Sequence, residues 1–256
     1  MKLRRFGAFL VALVHGSARA RVRGRIDLCF CEACGSLGST NWFAGYGTMN
    51  PQLTVGSSAQ IAGLQSQSYC TGGDVGSNFL TGWEMLAGYA NSTGKLAYSQ
   101  AGWLQYSIAS NACHFAEYNP DGNKGNFARN FRCDIPFTYG TKYIYSSLFD
   151  SACGCERNYV GLSEIQNTWP FNPVQIWHNT GNEWSSESPY NETNLGGSPG
   201  NYNIYQGLQY ENVFDLQLHP QDANNLGGLI PLHQASCRSG VVYNTFLTRY
   251  WTTGSC

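Results

Sequence analysis

Between Leu96 and Tyr106 the residues Leu96, Tyr98, Gln100, Gly102, Leu104 and Tyr106 fall in one phase of a period-two alternation. That period belongs to an extended strand, because successive side chains of a strand point to opposite faces. Cys113 to Tyr118, Thr141 to Leu148, Val174 to His178, Asn182 to Ser188, Tyr202 to Val213 and Val241 to Trp251 have the same strand-like character. Turn signals such as Asn119-Pro120-Asp121-Gly122 and Gly196-Gly197-Ser198-Pro199-Gly200 separate them. Sustained amphipathic helical periodicity is scarce. Many short strands joined by turns predict an all-β chain, an antiparallel β-sandwich or open barrel whose curved sheet offers a cleft.

The 256 residues suit one large β domain. Only 12% are charged while 14% are aromatic, a balance that fits a packed β core and argues against disorder of the whole chain. Lys2, Arg4 and Arg5 precede an apolar run from Phe6 to Val14, and Ala18-Arg19-Ala20 follows as a small-x-small site. This is the layout of a secretory signal over residues 1–20, and the apolar run is about half the ~20 residues a membrane-spanning helix needs. Residues 21–40 form a basic, cysteine-rich segment, and the sandwich is expected over 41–256. Arg21, Arg23 and Arg25 read as a processed pro-segment rather than a nucleic-acid or membrane tail. From Ile26 onward eight basic residues face sixteen acidic ones, a balance that does not suit phosphate-backbone binding. The expected protein is secreted and monomeric, inserts in no membrane and binds no nucleic acid.

The ten cysteines are an even set, and on an exported chain they predict disulfides. Cys113 with Cys133 is the most local pairing. Cys29-x-Cys31-x-x-Cys34 and Cys153-x-Cys155 lack paired zinc-ligand spacing and a nearby histidine, so no metal and no cofactor are expected. Asn91-Ser92-Thr93 and Asn191-Glu192-Thr193 are glycosylation sequons.

The histidines are dispersed and no G-x-S-x-G stands between a strand and a helix. Candidate chemistry falls instead on Gln100, on Glu117 in His114-Phe115-Ala116-Glu117-Tyr118, and on Glu183 and Glu187 in Asn182-Glu183-Trp184-Ser185-Ser186-Glu187. If the last segment is a strand, its two glutamates share a face about 13 Å apart at ~3.3 Å per residue.

Several short motifs, in order, resemble those of the glutamic peptidases (eqolisins) and, more distantly, the neprosin-type glutamic peptidases. Asn41-Trp42-Phe43-Ala44-Gly45 resembles N-W-G/A-G, and Gly82-Trp83-Glu84-Met85-Leu86-Ala87-Gly88 resembles A-W-V-G-I-D-G with Ala87 in place of the Asp. Ser99-Gln100-Ala101-Gly102 is similar to the L-Q-T-G that carries the catalytic glutamine, and Gln100-Ala101-Gly102-Trp103 to the neprosin E-A-G-W. Phe115-Ala116-Glu117-Tyr118-Asn119-Pro120 resembles Y-E-W-Y-P. Glu183-Trp184-Ser185-Ser186-Glu187 resembles E-[FW]-I-[IV]-E and the neprosin W-G-G-E, both of which select Glu187. The chain also resembles a group of exported bacterial proteins of unknown activity that carry Q-x-G-W and G-E segments.

The resemblance implies a concanavalin-like jelly roll that hydrolyses peptide bonds at acid pH, without cofactor, through a Gln100/Glu187 dyad. Trp42, Trp83, Glu117 and Glu183 would then line the polypeptide substrate. The second reading is a non-catalytic, lectin-like module in which tryptophans stack on the sugar rings of an extracellular glycan.

Overall fold

The computed structural model describes residues 37–48, 54–63, 80–105, 111–123, 125–169, 176–190, 203–221, 229–233, 239–244 and 249–254. The proposed signal, the cysteines at 29, 31, 34, 70, 237 and 256 and the second sequon lie outside them. Every regular element among the described residues is a strand. In chain order these are β1 (Leu37–Thr48), β2 (Thr54–Ala62), β3 (Leu80–Ala90), β4 (Leu96–Gln105) and β5 (Cys113–Asn119). There follow β6 (Ala128–Arg132), β7 (Lys142–Asp150), β8 (Cys155–Val160), β9 (Ser163–Trp169) and β10 (Trp177–Tyr190). The last five are β11 (Asn203–Asn212), β12 (Leu218–Pro220), β13 (Leu229–His233), β14 (Ser239–Asn244) and β15 (Arg249–Gly254).

They form two antiparallel sheets. One has seven strands in the order β13-β1-β10-β3-β4-β5-β6; the other runs β14-β15-β11-β2-β7-β8-β9, with β12 paired to β11. The expected all-β sandwich is therefore what the chain forms. Two expected strands differ in extent. Trp177 and His178 open the 14-residue β10 rather than closing a strand of their own, and Val241 to Trp251 turns back on itself as the β14–β15 hairpin.

The sheets meet through a core that includes Trp103, Trp184, Tyr145, Tyr205, Ile61 and Leu208. Polar contacts cross the same interface in a regular series. Thr180 Oγ1 donates to Thr54 O at 2.7 Å, Asn182 Nδ2 to Gly56 O at 2.7 Å, and Trp184 Nε1 to Ser58 O at 3.2 Å. These are alternate residues of β10 aimed at alternate carbonyls of β2, as the period of two requires. Asn158 Nδ2 joins Ser147 Oγ at 2.7 Å and Ser99 Oγ at 3.1 Å, tying β7 and β8 to β4.

Ser99, Ala101 and Trp103 thus occupy the inward phase of β4, and Tyr98, Gln100, Gly102 and Leu104 the outward one. The outward face has its own apolar cluster of Trp83, Met85, Ala87, Leu104 and Phe115, flanked by Leu96, Tyr98 and Phe131. Cys113–Cys133, the local pairing expected from the sequence, closes the β5–β6 hairpin, and Cys153–Cys155 closes the turn between β7 and β8.

Strands β3 and β4 approach closely at Gly102. A Cβ built there would stand 2.2 Å from Gly82 O and 2.8 Å from Trp83 Cα, both backbone atoms that cannot swing aside. Gly102→Ala is therefore expected to cost on the order of 3 kcal/mol, the upper range of core overpacking. A denaturant titration showing less than ~1 kcal/mol of loss would contradict the close approach.

Candidate functional site

Strand register decides which of the candidate residues share a neighbourhood. Gln100 pairs with Glu117 on one side and with Met85 on the other, Met85 pairs with Glu183, and Glu183 pairs with Gly47. The row Glu117–Gln100–Met85–Glu183 therefore crosses β5, β4, β3 and β10 on the face turned away from the second sheet. Its side chains are between 2% and 8% exposed, so the groups act in a largely desolvated setting.

Two residues along the strands comes the row Phe115–Gly102–Trp83–Ser185–Gly45, and two further Leu104–Thr81–Glu187–Phe43. Gln100 and Glu183 are separated by two strand spacings, ~10 Å between backbones. Glu187 keeps the phase of Glu183 but lies ~13 Å farther along the strand. Trp83 is in the outward cluster beside the row. Trp42 pairs with Ser188 and so falls in the alternate phase from Glu183 and Glu187. The register brings together Gln100, Glu117, Glu183 and Trp83; it sets Glu187 at a distance and Trp42 out of phase.

Glu117 is held by its neighbours. Tyr98 Oη donates to Oε1, and Arg129, on β6, engages Oε2 through both Nε and Nη2. Tyr98 stands two residues from Gln100 in the same phase, and Arg129 pairs with Glu117 across the β5–β6 register. With a guanidinium on one oxygen and a phenol on the other, both Glu117 oxygens are engaged as acceptors. Sequence reasoning missed Arg129 because β6 carries no clear alternation, although its being one of only eight basic residues after Ile26 was a signal. Met85, between Gln100 and Glu183, was legible only as part of the Trp83 motif.

Glu84 has the opposite phase. It pairs with Trp184 and Ala101 and points into the sandwich, where Ser147 Oγ donates to its Oε1 at 2.7 Å. Burial pushes its carboxyl up to about 8 from an ordinary value of 4.5.

No family model matches the chain, and no curated protein does. Among solved structures the chain is similar to SCP-B, a member of the Eqolisin family of peptidases, in a complex with the tripeptide Ala-Ile-His. The likeness spans 84% of this chain and 98% of that one at 11% identity, with a TM-score of 0.46.

Arg129→Met would leave Glu117, 4% exposed, with its charge met only by Tyr98. Because the Arg129 side chain is 26% exposed, water screens part of the pair, and a loss of ~2 kcal/mol is expected, below the 3–5 kcal/mol of a fully buried pair. Unfolding curves of the variant and of Arg129→Lys check this; equal stability of Arg129→Met and the parent would show that the pair contributes nothing.

Proposed function

We propose that the chain is a secreted hydrolase of the glutamic-peptidase type in which Gln100 and Glu183 form the reacting pair. The observation that carries this reading is the register, which sets an amide and a carboxylate in one desolvated row on either side of Met85. The motif resemblance supports the same strands but selects Glu187, and the row spacing favours Glu183 over it. Glu117 supports Gln100 from the neighbouring strand rather than contacting substrate.

In this reading the scissile carbonyl of a peptide sits between the two groups. Glu183, as carboxylate, takes a proton from water while the water oxygen attacks the carbonyl carbon, and the Gln100 amide donates a hydrogen bond to the developing oxyanion. Collapse of the tetrahedral species breaks the C–N bond as Glu183 returns the proton to the leaving nitrogen. The acid range is the one the motif resemblance implies; because Glu183 must start ionised, the rate falls once acid protonates it.

The lectin-like reading finds little support on the described surface. Trp83, Trp103, Trp177 and Trp184 are each at most 3% exposed, which leaves those rings no free face for a sugar.

The test is hydrolysis of a denatured protein between pH 3 and 7 by the parent and three variants. Gln100→Ala removes the oxyanion donor and is expected to lower kcat about 100-fold or more, and Glu183→Gln, which removes the proton acceptor, is expected to abolish turnover. Glu187→Gln should stay within about tenfold of the parent, and the reverse ranking would move the acid to Glu187. Saturable binding on a glycan array without any cleavage would replace the peptidase reading by the lectin-like one.

A further inference from the structure

Three buried glutamates take no part in the outward row. Glu84 of the seven-stranded sheet and Glu156 of the other are both 0% exposed, and Glu211, on β11, is 6% exposed. Glu84 and Glu156 both point inward, for Glu84 bonds Ser147 of the opposite sheet, and Glu156 keeps the phase of Asn158, which reaches Ser99 across the interface. Glu156 feels the charge of both Glu211 and Glu84.

Their partners are too few for three charges. Glu84 Oε2 and both carboxyl oxygens of Glu156 are buried without a hydrogen bond, and the Ser57 hydroxyl beside Glu84 lies outside bonding geometry. Glu211 accepts from Phe149 N at 2.7 Å. The charged groups facing Glu211 are Asp150 and Asp215, like charges both, and Tyr118 faces Glu156. Among the described residues the nearby Arg157 is committed to Asp150 and Glu164, and His219 bonds Asp215. Among the described residues no three His, Cys, Asp or Glu side chains group as metal ligands.

An ionised carboxylate in such a place costs several kcal/mol, and the group keeps its proton instead. We propose that Glu84 and Glu156 form a pH-sensitive clasp: as neutral acids they let the two sheets pack, and their ionisation in neutral to alkaline medium drives the sheets apart. The clasp is independent of the outward row, so it stands or falls apart from the hydrolase reading.

The direction of the effect follows from proton linkage. Burial pushes Glu84 up to about 8, Glu211 up to about 7 and Glu156 well above its ordinary range. Groups raised in the folded state contribute stability that is complete below ~4.5, the unfolded value, and is lost as pH rises through their folded values. His114, buried against Tyr145 and held below its ordinary value by that burial, acts oppositely, but only below its unfolded value of 6.5. Above that value its opposing contribution fades.

The experiment is denaturant unfolding of the full chain, followed by tryptophan fluorescence, at pH 6.5 to 8.5. The unfolding equilibrium constant is expected to rise with pH, by up to about tenfold per unit for each carboxyl that ionises on unfolding. The variant carrying Glu84→Gln and Glu156→Gln, which keeps shape without a titrating proton, should lose most of that slope. Should the variant not fold, proton release is read on the parent: unfolding in weak buffer at pH 7.5 should liberate about two protons. A pH-independent constant, a slope retained in the variant, no proton release, or stabilisation by added Ca2+ above pH 7, as a bound cation would produce, each overturns the proposal.

Discussion

The hydrogen bonds from Thr180, Asn182 and Trp184 to the carbonyls of Thr54, Gly56 and Ser58 are the constraint from which the candidate site follows. Apolar packing alone does not choose between neighbouring registers of two sheets, because it has no direction. Directional donors at every second residue do choose. Each one buried without its acceptor would cost about 1–3 kcal/mol, so a displacement of β10 along β2 forfeits several at once. The position of β10 is fixed from inside the sandwich, and the position of Glu183 on the outside comes with it.

One register therefore serves two chemistries. Along β3 and β10 the pair Glu84 and Trp184 points inward while the adjacent pair Met85 and Glu183 points outward. A slip of one residue would exchange the phases, since strand side chains alternate with a period of two. Trp184 would then leave the core, and Glu183 would enter an interior that already holds two carboxyls short of hydrogen-bond partners. The wrong register is thus disfavoured twice, by lost apolar burial and by an added buried acid.

Much of this was legible in the chain. The strict alternation around Gln100 gave β4 nearly to the residue, and the phase that groups Tyr98, Gln100, Gly102 and Leu104 is the outward face of the sheet. Glu183 and Glu187 were correctly placed on one face. What alternation cannot supply is which strand lies beside which, because pairing joins residues as far apart as Gln100 and Glu117 or Met85 and Glu183 through contacts that leave no local trace. The strand spacing of Glu183 and Glu187 from Gln100 depends on that pairing and was out of reach. The dipeptide Trp83-Glu84 held a readable warning, since a carboxylate in a run otherwise fit for a core forecasts a perturbed acid. Strand β6 was passed over because it is half-buried to exposed throughout, and β8 because its buried phase carries the polar Glu156 and Asn158 beside Val160, so no apolar alternation marks it.

The sandwich sorts its glutamates by the company each keeps. Glu117 has a guanidinium and a phenol within bonding distance. Glu84 has the Ser147 hydroxyl and, among the described residues, no cation, and burial pushes its carboxyl up to about 8. Glu183 lies in the outward row three strands from Glu117 and in the opposite phase from Glu84.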